Sequence, residues 1–452
     1  MVSSQQDGEA AAEPDMSTVR KAVGAAAIGN ATEWFDFAAY SYVVVYIGTN
    51  FFPESSGTAR TLEAFIVFAA SFLIRPLGGL FFGPLGDRVG RRRVLALTIL
   101  LMAGATFTIG VLPTYDQIGF WAPVLLVVAR MIQGFSTGGE YGGAATFMSE
   151  YAPYRRRGFL GGFLEFGTLG GFTLGAVIST VLITTLSDEA MTSWGWRIPF
   201  LVALPLGIIG LYLRLKLDET PAFQEQPAFQ EQGADRERSP LRELFTDHWR
   251  DMLTCFGFVI LLNIAVYTML TYMPSYLTQV LDVSENVGLL LIIAAQLGMM
   301  AVILPMSALS DRIGRKPLLL TGCLGFLVLS WPAFWLLSLG NALTTAVGLV
   351  LLSFFLVCLL CLIGGTLPAI FDTRVRCGGF AISYNVSTSL FGGTAPAVVT
   401  YLIQQTGDQF VPAYYLMAAA AISLVPILLM KETAGKPLRG TVAERELAEQ
   451  ST

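Results

Sequence analysis

Long apolar runs are the feature that most constrains this sequence. Runs of about 20 residues or more recur along the whole chain, and an α-helix of that length can cross a bilayer core. Hydrophobic residues make up 54% of the 452 positions and charged residues only 13%, which is too little charge to coat a soluble protein of this length. The sequence therefore predicts an all-α polytopic membrane protein.

Twelve such runs can be distinguished. They lie near residues 22–48, 61–84, 93–113, 119–150, 157–186, 196–215, 251–281, 286–309, 317–338, 342–371, 377–406 and 410–430. If the N-terminus is cytoplasmic, the inner loops, the central segment and both tails carry 24 of the 28 lysines and arginines. Because positive charge favours the cytoplasmic side, we expect both termini to be cytoplasmic.

The chain contains an internal repeat. The loop after the second run reads GPLGDRVGRRR and the loop after the eighth reads SALSDRIGRKP, with Asp87 and Asp311 separated by 224 residues. Arg157 and Arg376 form a second matching pair, 219 residues apart. The repeat predicts two six-helix bundles around a site at mid-membrane. The expected divisions are a cytoplasmic N-terminal tail (1–20), a first bundle (21–215), a cytoplasmic linker (216–250), a second bundle (251–431) and a short cytoplasmic C-terminal tail (432–452).

Ionisable side chains inside the predicted helices are concentrated in the first half. Each costs about 2.5–3.5 kcal/mol at a helix centre, so each needs a partner, a water-filled cavity or a function. The only histidine, His248, lies in the linker, so proton transfer across the membrane would have to use carboxylates. The six intramembrane charges are Glu33, Asp36, Arg75, Arg130, Glu140 and Glu165.

The first helix presents several of its polar residues on one face. Asn30, Glu33, Phe37 and Tyr40 follow helical spacing, and Asp36 lies at the flank of this stripe. Either carboxylate could also form an ion pair that only holds helices together. The spacing favours Glu33 for contact with a substrate or a proton and Asp36 for a supporting ion pair.

Glycines flank two of the other carboxylates. Glu140 stands in STGGEYGG and Glu165 in GGFLEFG, where small residues allow helices to approach closely or leave a path for water. Arg75 precedes Pro76 near one end of the second helix, where its side chain either reaches towards the membrane surface or meets a substrate.

Several motifs carry a family resemblance. The loop GPLGDRVGRRR, its copy SALSDRIGRKP and the segment RMIQG at Arg130 resemble the major facilitator superfamily. The segments GNATEWFDFAAY, QGFSTGGEYGGAATFMSEYAP, WGWRIPF and LTYMPSYL are similar to the metabolite:proton symporter family, and within it to the members that carry proline and betaine. The resemblance covers about residues 20 to 440. The chain departs from some osmosensing members in having no sustained heptad pattern at its C-terminal end.

The resemblance implies a secondary active transporter that imports zwitterionic compatible solutes by proton symport. A zwitterion needs an anion or aromatic faces for its cationic nitrogen and a donor for its carboxylate. The expected substrate-binding residues are Asn30, Glu33, Phe37, Tyr40, Tyr141, Tyr267 and Tyr384. The alternative is a proton symporter for organic carboxylates such as 2-oxoglutarate or citrate, in which Arg75 and Arg130 would clamp the substrate.

Proton coupling and gating are assigned to separate sets of residues. The RMIQG segment is associated with proton coupling in the superfamily, which adds Arg130 to the buried carboxylates. The proton-coupling residues are thus Glu33, Asp36, Arg130, Glu140 and Glu165, and the gating residues are Asp87, Arg88, Arg91, Asp311, Arg312 and Arg315. In the family, the gating loop latches the outward-facing state.

The sequence indicates no enzyme. It contains no phosphate-cradling loop, metal-ligand cluster or nucleophile–base set, so no cofactor and no metal are expected. The expected partners are the lipid bilayer of the bacterial inner membrane, protons and a small zwitterionic substrate. Neither nucleic acid nor a partner protein is required.

Overall fold

A computed structural model describes residues 16–89, 91–138, 140–215, 240–372 and 375–439. Within these ranges the regular secondary structure is helical. The first half of the chain consists of six helical segments, three of which are interrupted. They are α1 (Met16–Tyr42, continued by Val44–Phe51), α2 (Gly57–Leu73, continued by Arg75–Val89), α3 (Arg91–Val111), α4 (Trp121–Thr137, continued by Glu140–Tyr151), α5 (Arg157–Thr185) and α6 (Ile198–Leu215).

The second half repeats this arrangement. Two of its segments contain π-helical turns, which often mark functional positions. The segments are α7 (Trp249–Val266, continued through Tyr267–Tyr272, Met273–Ser275 and Tyr276–Val280), α8 (Glu285–Ile313), α9 (Arg315–Ser338), α10 (Ala342–Leu360, continued by Ile363–Thr366), α11 (Arg376–Ser387, Thr388–Gly392 and Ala395–Thr406) and α12 (Val411–Leu429).

These twelve segments match the runs predicted from the sequence to within a few residues at most ends. Among the described residues, nine helices are long and apolar enough to cross a membrane by themselves. The three others are α1, which carries two carboxylates, α3, whose apolar part is only Ala96–Val111, and α4, which is interrupted before Glu140. The all-α prediction is therefore confirmed.

The predicted tails and linker fall largely outside the described residues. Residues 1–15, 216–239 and 440–452 are not described, so the expectations for these stretches remain predictions. Helix α1 begins at Met16, inside the stretch assigned to the N-terminal tail. A short helix, Pro240–Asp247, precedes α7 in the second part of the predicted linker.

Helices of the two halves meet along a few specific pairs. Within the first half α1 packs on α5 and α3 on α6, and within the second α9 packs on α10 and α12. Across the halves α5 contacts α8 and α10, α2 contacts α11, and α1 contacts the π-helical part of α7. The second part of α4 (Glu140–Tyr151) also contacts α10 and α11. The interface is thus formed by α1, α2, α4 and α5 facing α7, α8, α10 and α11.

A row of glycines lets α5 lie directly against α1. A Cβ atom at Gly167 would stand 2.3 Å from the Ala27 carbonyl oxygen, and one at Gly171 would stand 2.2 Å from that of Ala31. The spacing of four residues places both glycines on one face of α5. In a membrane, where burial of apolar surface does not drive helices together, such close backbone packing is a main source of attraction.

The break in α2 ties the two halves together. Pro76 has no N–H group, so the Phe72 carbonyl oxygen loses its partner in the helix. The hydroxyl of Ser389 in α11 donates to this oxygen at 2.6 Å. The kink that the sequence places beside Arg75 therefore supplies a hydrogen bond between the halves.

Replacing Gly171 tests the close approach of α1 and α5. We expect Gly171→Ala to cost about 1–3 kcal/mol through overpacking and to lower the melting temperature of the purified protein in detergent. Gly104→Ala in α3 is the matched control, since a Cβ atom there meets nothing within 4 Å. This control should melt at the wild-type temperature or slightly above it. Equal melting temperatures for the two variants would contradict the packing argument.

Candidate functional site

A small cavity lies between the two halves. Protein atoms leave about 230 Å³ free between its lining residues, including the part that opens to the outside. The first half contributes polar and aromatic side chains, and the second half adds mainly apolar ones. The lining residues are Trp34, Glu165, Thr168, Leu262, Asn263, Val266, Leu360, Ile363 and Tyr384.

Glu165 is the one charged residue among the described residues that line this cavity. Its side chain is buried, and the Tyr141 hydroxyl donates a hydrogen bond to its carboxylate at 2.5 Å. The ring of Tyr141, from α4, stacks on that of Tyr384, from α11, with centroids 4.5 Å apart and planes 18° apart. One side of the cavity therefore combines a carboxylate with a pair of aromatic rings that spans the two halves.

Asn30 forms hydrogen bonds with two of the residues that line the cavity. Its amide donates to the Leu164 carbonyl and to the Thr168 hydroxyl, each at 2.7 Å. Its carbonyl oxygen accepts the indole N–H of Trp34 at 3.1 Å. The predicted substrate residue Asn30 thus positions two lining side chains instead of lining the cavity itself.

Glu33 forms a buried ion pair with Arg75. The distance between Glu33 Oε1 and Arg75 Nη2 is 2.7 Å, and the two side chains are 1% and 2% exposed. Arg75 Nε also donates to the Thr137 hydroxyl at 2.8 Å. The faces of Phe37 and Phe72 lie 5.2 and 4.9 Å from the guanidinium carbon. In the described structure the ion pair on α1 is therefore formed by Glu33, and not by Asp36 as the sequence spacing suggested.

Asp36 is linked to Arg130 through two intermediate side chains. The Thr106 hydroxyl donates to Asp36 Oδ2 at 2.9 Å, and Gln133 Nε2 donates to Thr106 at 2.8 Å. Arg130 in turn donates to Gln133 Oε1. We call this chain of four side chains the α1–α3–α4 relay. Asp36 Oδ1 has no hydrogen-bond partner in the described part of the structure.

Aromatic rings enclose Arg130. Its guanidinium carbon lies 4.2 Å from the ring centre of Tyr40 and 4.9 Å from that of Phe68, and its Nε and Nη2 have no hydrogen-bond partner among the described residues. Phe37 lies 5.7 Å away. Two predicted substrate residues, Phe37 and Tyr40, therefore contact arginines in the first half and do not line the cavity.

The structure brings together only part of the predicted site. Tyr384 lines the cavity and Tyr141 contacts Glu165, whereas Tyr267 packs beside Trp34 with ring centres 6.1 Å apart. The side chain of Glu140 lies outside the described part of the structure. Two lining residues, Trp34 and Thr168, were not predicted from the sequence. For Trp34 the available signal was its position four residues after Asn30, on the same face of α1.

Contacts between the halves close the end at which α1 begins and α12 ends. Asp311, near the end of α8, accepts the backbone N–H groups of Gly158 and Phe159 at 2.8 and 2.9 Å. These donors form the N-terminus of α5, where the helix dipole attracts a carboxylate. Arg376, at the start of α11, pairs with Glu150 of α4 at 2.9 Å. We call these contacts the termini-side gate.

The C-terminal segment reinforces this gate. The Lys436 carbonyl oxygen accepts from Arg157 at 3.1 Å, and the Thr433 hydroxyl accepts from Arg315 at 2.8 Å. Burial acts to raise the pKa of Glu432, but hydrogen bonds from the backbone N–H groups of four residues hold that pKa below its usual value. The donors are those of Arg315, Lys316, Thr433 and Ala434.

The predicted gating residues divide into two groups. Asp311 bonds across the halves, Arg315 lies 3.8 Å from it and donates to the Gly365 carbonyl, and Arg312 is exposed. The side chains of Asp87, Arg88 and Arg91 lie outside the described part of the structure, so their role remains a prediction.

At the opposite end of the molecule, two glutamines connect the halves. Gln279 Nε2 donates to the Thr61 hydroxyl at 3.2 Å, and Gln296 Nε2 donates to the Tyr42 hydroxyl at 2.9 Å.

Comparison with known proteins places this architecture in a family. The family model described as Major Facilitator Superfamily matches residues 26–394. The chain belongs to the major facilitator superfamily. Members of this superfamily are membrane transporters and not enzymes.

Two curated relatives show the same family. A "Glycine betaine/proline/ectoine/pipecolic acid transporter OusA" of Dickeya dadantii is 46% identical over 441 residues, which cover 96% of this chain and 88% of the relative. A "Proline/betaine transporter" of Escherichia coli K12 is 46% identical over 431 residues, covering 94% and 86%.

A solved structure shows the fold. The proton:xylose symporter XylE, bound to 6-bromo-6-deoxy-D-glucose, superposes with a TM-score of 0.73 at 19% identity and covers 96% of this chain and 99% of its own. The likeness confirms the major facilitator fold, in which twelve helices form two six-helix bundles.

Loss of the Asp311 contact is expected to loosen the termini-side gate. In a variant that keeps only the native Cys361, which is buried near the contact of α5 and α10, Asp311→Ala should speed alkylation of the thiol. The reason is that two charge-assisted hydrogen bonds between the halves are lost. Arg312→Ala, which removes an exposed neighbouring charge, is the control. Unchanged alkylation in Asp311→Ala would show that this carboxylate does not hold the gate.

Proposed function

We propose that the protein is a secondary active transporter that imports proline, glycine betaine and related zwitterionic osmolytes together with protons. Two observations support this. Two relatives that are 46% identical to this chain are named as transporters of such solutes. The chain also has a small cavity between its two halves. In alternating access, a site at this position is exposed first to one side of the membrane and then to the other.

The charge of the cavity is the observation that carries the substrate proposal. Glu165 supplies negative charge, and the rings of Trp34 and Tyr384 supply faces for a quaternary or secondary ammonium. The aliphatic residues on the other side suit N-methyl groups or the proline ring. The lining therefore fits the cationic end of a zwitterion.

The same lining disfavours the organic-carboxylate alternative. A di- or tricarboxylate needs cations around it, but neither Arg75 nor Arg130 lines the cavity. Arg75 is paired with Glu33, and Arg130 lies between aromatic rings. A multiply charged anion next to Glu165 would meet repulsion in a poorly screened interior.

For proton coupling we favour the carboxylates of α1. Asp36 leaves one buried oxygen without a partner, and the α1–α3–α4 relay connects it to Arg130. Glu33 stands three residues away on the same helix, so the two residues are neighbours on its surface. We therefore assign Asp36 to proton transfer and Arg130 to stabilising its charged form.

The orientation in the membrane follows from the loops. Most lysines and arginines lie at the end that carries the termini, which by the positive-inside rule is the cytoplasmic side of a bacterial inner membrane. The termini-side gate is then the cytoplasmic gate, and the contacts of Gln279 and Gln296 close the external side.

Removal of the cavity charge tests the substrate proposal. We expect Glu165→Gln to weaken binding of glycine betaine by about tenfold or more, because a charge-assisted contact to the ammonium is lost. The measurement is uptake of labelled betaine, proline and 2-oxoglutarate into proteoliposomes under an imposed pH gradient. Glu54→Gln is a matched control, since this exposed carboxylate also accepts a tyrosine hydroxyl, that of Tyr115, at 2.6 Å. Uptake of 2-oxoglutarate alone by the wild type would overturn the substrate proposal.

Replacement of Asp36 separates proton coupling from substrate movement. In Asp36→Asn we expect exchange of labelled for unlabelled betaine to continue, since Asn can still accept from Thr106, while accumulation driven by a pH gradient is lost. Asp116→Asn, at an exposed carboxylate, should behave as the wild type. Normal pH-driven accumulation by Asp36→Asn would exclude Asp36 from proton transfer.

A further inference from the structure

The Glu33–Arg75 ion pair is difficult to explain as a stabilising contact. Both side chains are almost completely removed from solvent. Desolvation of two charges often cancels their attraction, so a buried pair contributes little stability compared with apolar residues of the same size. A pair retained at this depth is therefore a candidate for a function in which its charges are used separately.

Two tyrosines connect this ion pair with the cavity. The hydroxyl of Tyr384, which lines the cavity, lies within electrostatic reach of both Glu165 and Arg75. Tyr267 is fully buried, and its hydroxyl faces Arg75 without forming a hydrogen bond of normal geometry in the described part of the structure. The two tyrosines therefore lie near Arg75, and one of them also lines the cavity.

Tyr267 is also close to the cavity lining. A Cβ atom at Gly392 would lie 2.7 Å from the Tyr267 ring and 3.3 Å from Asn263 Oδ1, so the absence of a side chain at Gly392 leaves room for both. The Tyr267 ring in addition packs beside Trp34. Tyr267 thus places a hydroxyl without a hydrogen-bond partner among the described residues near both Arg75 and the cavity lining.

We propose that Arg75 is the anchor for the carboxylate of the substrate, and that Glu33 occupies this anchor while the cavity is empty. The inference rests on the proposed function, since it requires a zwitterionic substrate. The substrate ammonium lies at Glu165 and Tyr384, and its carboxylate replaces that of Glu33 at the Arg75 guanidinium. The Tyr267 hydroxyl donates a hydrogen bond to the incoming carboxylate.

Charge balance determines what happens to Glu33. Once displaced, its carboxylate is buried without a counter-ion, and desolvation favours the neutral form. Glu33 then takes up one proton, which Asp36 passes to it from hydronium. One O–H bond of hydronium breaks, one O–H bond forms on the Glu33 carboxylate, and the proton stays there while the substrate carboxylate occupies Arg75. The charged and titratable groups that face the Glu33–Arg75 pair are Tyr267 from α7, Tyr384 from α11 and Arg130 from α4. Glu165 of α5 lies beyond Tyr384, and Asp36 lies three residues along α1.

This exchange links substrate specificity to proton symport. A zwitterion brings a carboxylate for Arg75 and a cation for Glu165, whereas choline has only the cation and cannot displace Glu33. Binding of betaine, but not of choline, should therefore be accompanied by proton uptake.

The test compares glycine betaine with choline, which has the same trimethylammonium group and no carboxylate. Binding to the purified full-length protein is measured by calorimetry, and proton uptake is measured with an indicator dye in weak buffer. Glu33→Gln should bind betaine more tightly than the wild type and take up no proton on binding. Glu33→Gln/Arg75→Gln removes both charges and so avoids an unpaired buried ion.

We expect this double variant to bind betaine about 10- to 100-fold more weakly than Glu33→Gln, and no better than choline. The matched control is Glu150→Gln/Arg376→Gln, which removes a carboxylate–guanidinium pair at the termini-side gate and should keep the preference for betaine over choline.

Three results would overturn the inference while the proposed function stands. They are a wild-type preference for betaine in the Glu33→Gln/Arg75→Gln variant, wild-type proton uptake in Glu33→Gln, and proton uptake on choline binding. If the wild type binds neither betaine nor proline, the proposed function itself fails.

Discussion

The structure depends on how the first half accommodates charge inside a helical bundle. Each charged side chain that is described as buried there meets a polar or aromatic group on another helix. Glu33 joins α1 to α2, Asp36 joins α1 to α3, and Glu165 joins α5 to α4. Since unpaired charges are expensive in such an interior, these contacts also fix the positions of the helices that carry them. The same buried side chains in the first half are therefore both the candidate functional groups and the contacts that position the helices.

The two halves contribute different groups to the cavity and to the termini-side gate. The second half contributes apolar lining, the Tyr384 ring and the π-helical turns of α7 and α11, and no charge to the cavity wall described here. Its carboxylate Asp311 acts at the gate, where backbone N–H groups at a helix end satisfy it. Under the proposed function, charge in the first half serves the substrate and the proton, while Asp311 of the second half binds the N-terminus of α5.

The sequence predicted the fold well because the strongest signals were long and repeated. Apolar runs and the copied loop predicted twelve helices in two bundles, whereas the break between Leu73 and Arg75 lies inside a run that was predicted to be continuous. The site was predicted less well, since helical spacing shows which residues share a face but not which neighbour that face meets. Phe37 and Tyr40 share the stripe of Glu33, yet they contact Arg75 and Arg130, which come from other helices. Thr168 was not predicted, because it carries no charge that would distinguish it from the other threonines of the helices.

Under the proposed function, the charge balance of the central region explains why a zwitterion suits it. The Glu33–Arg75 pair cancels its own charge, and Glu165 leaves one negative charge at the cavity wall. An added cation alone would leave Arg75 occupied, and an added anion would face Glu165. A molecule with both charges satisfies Glu165 and can replace Glu33 at the guanidinium, which leaves a carboxylate that needs a proton. Selection for a zwitterion and uptake of a proton are then two consequences of one buried ion pair.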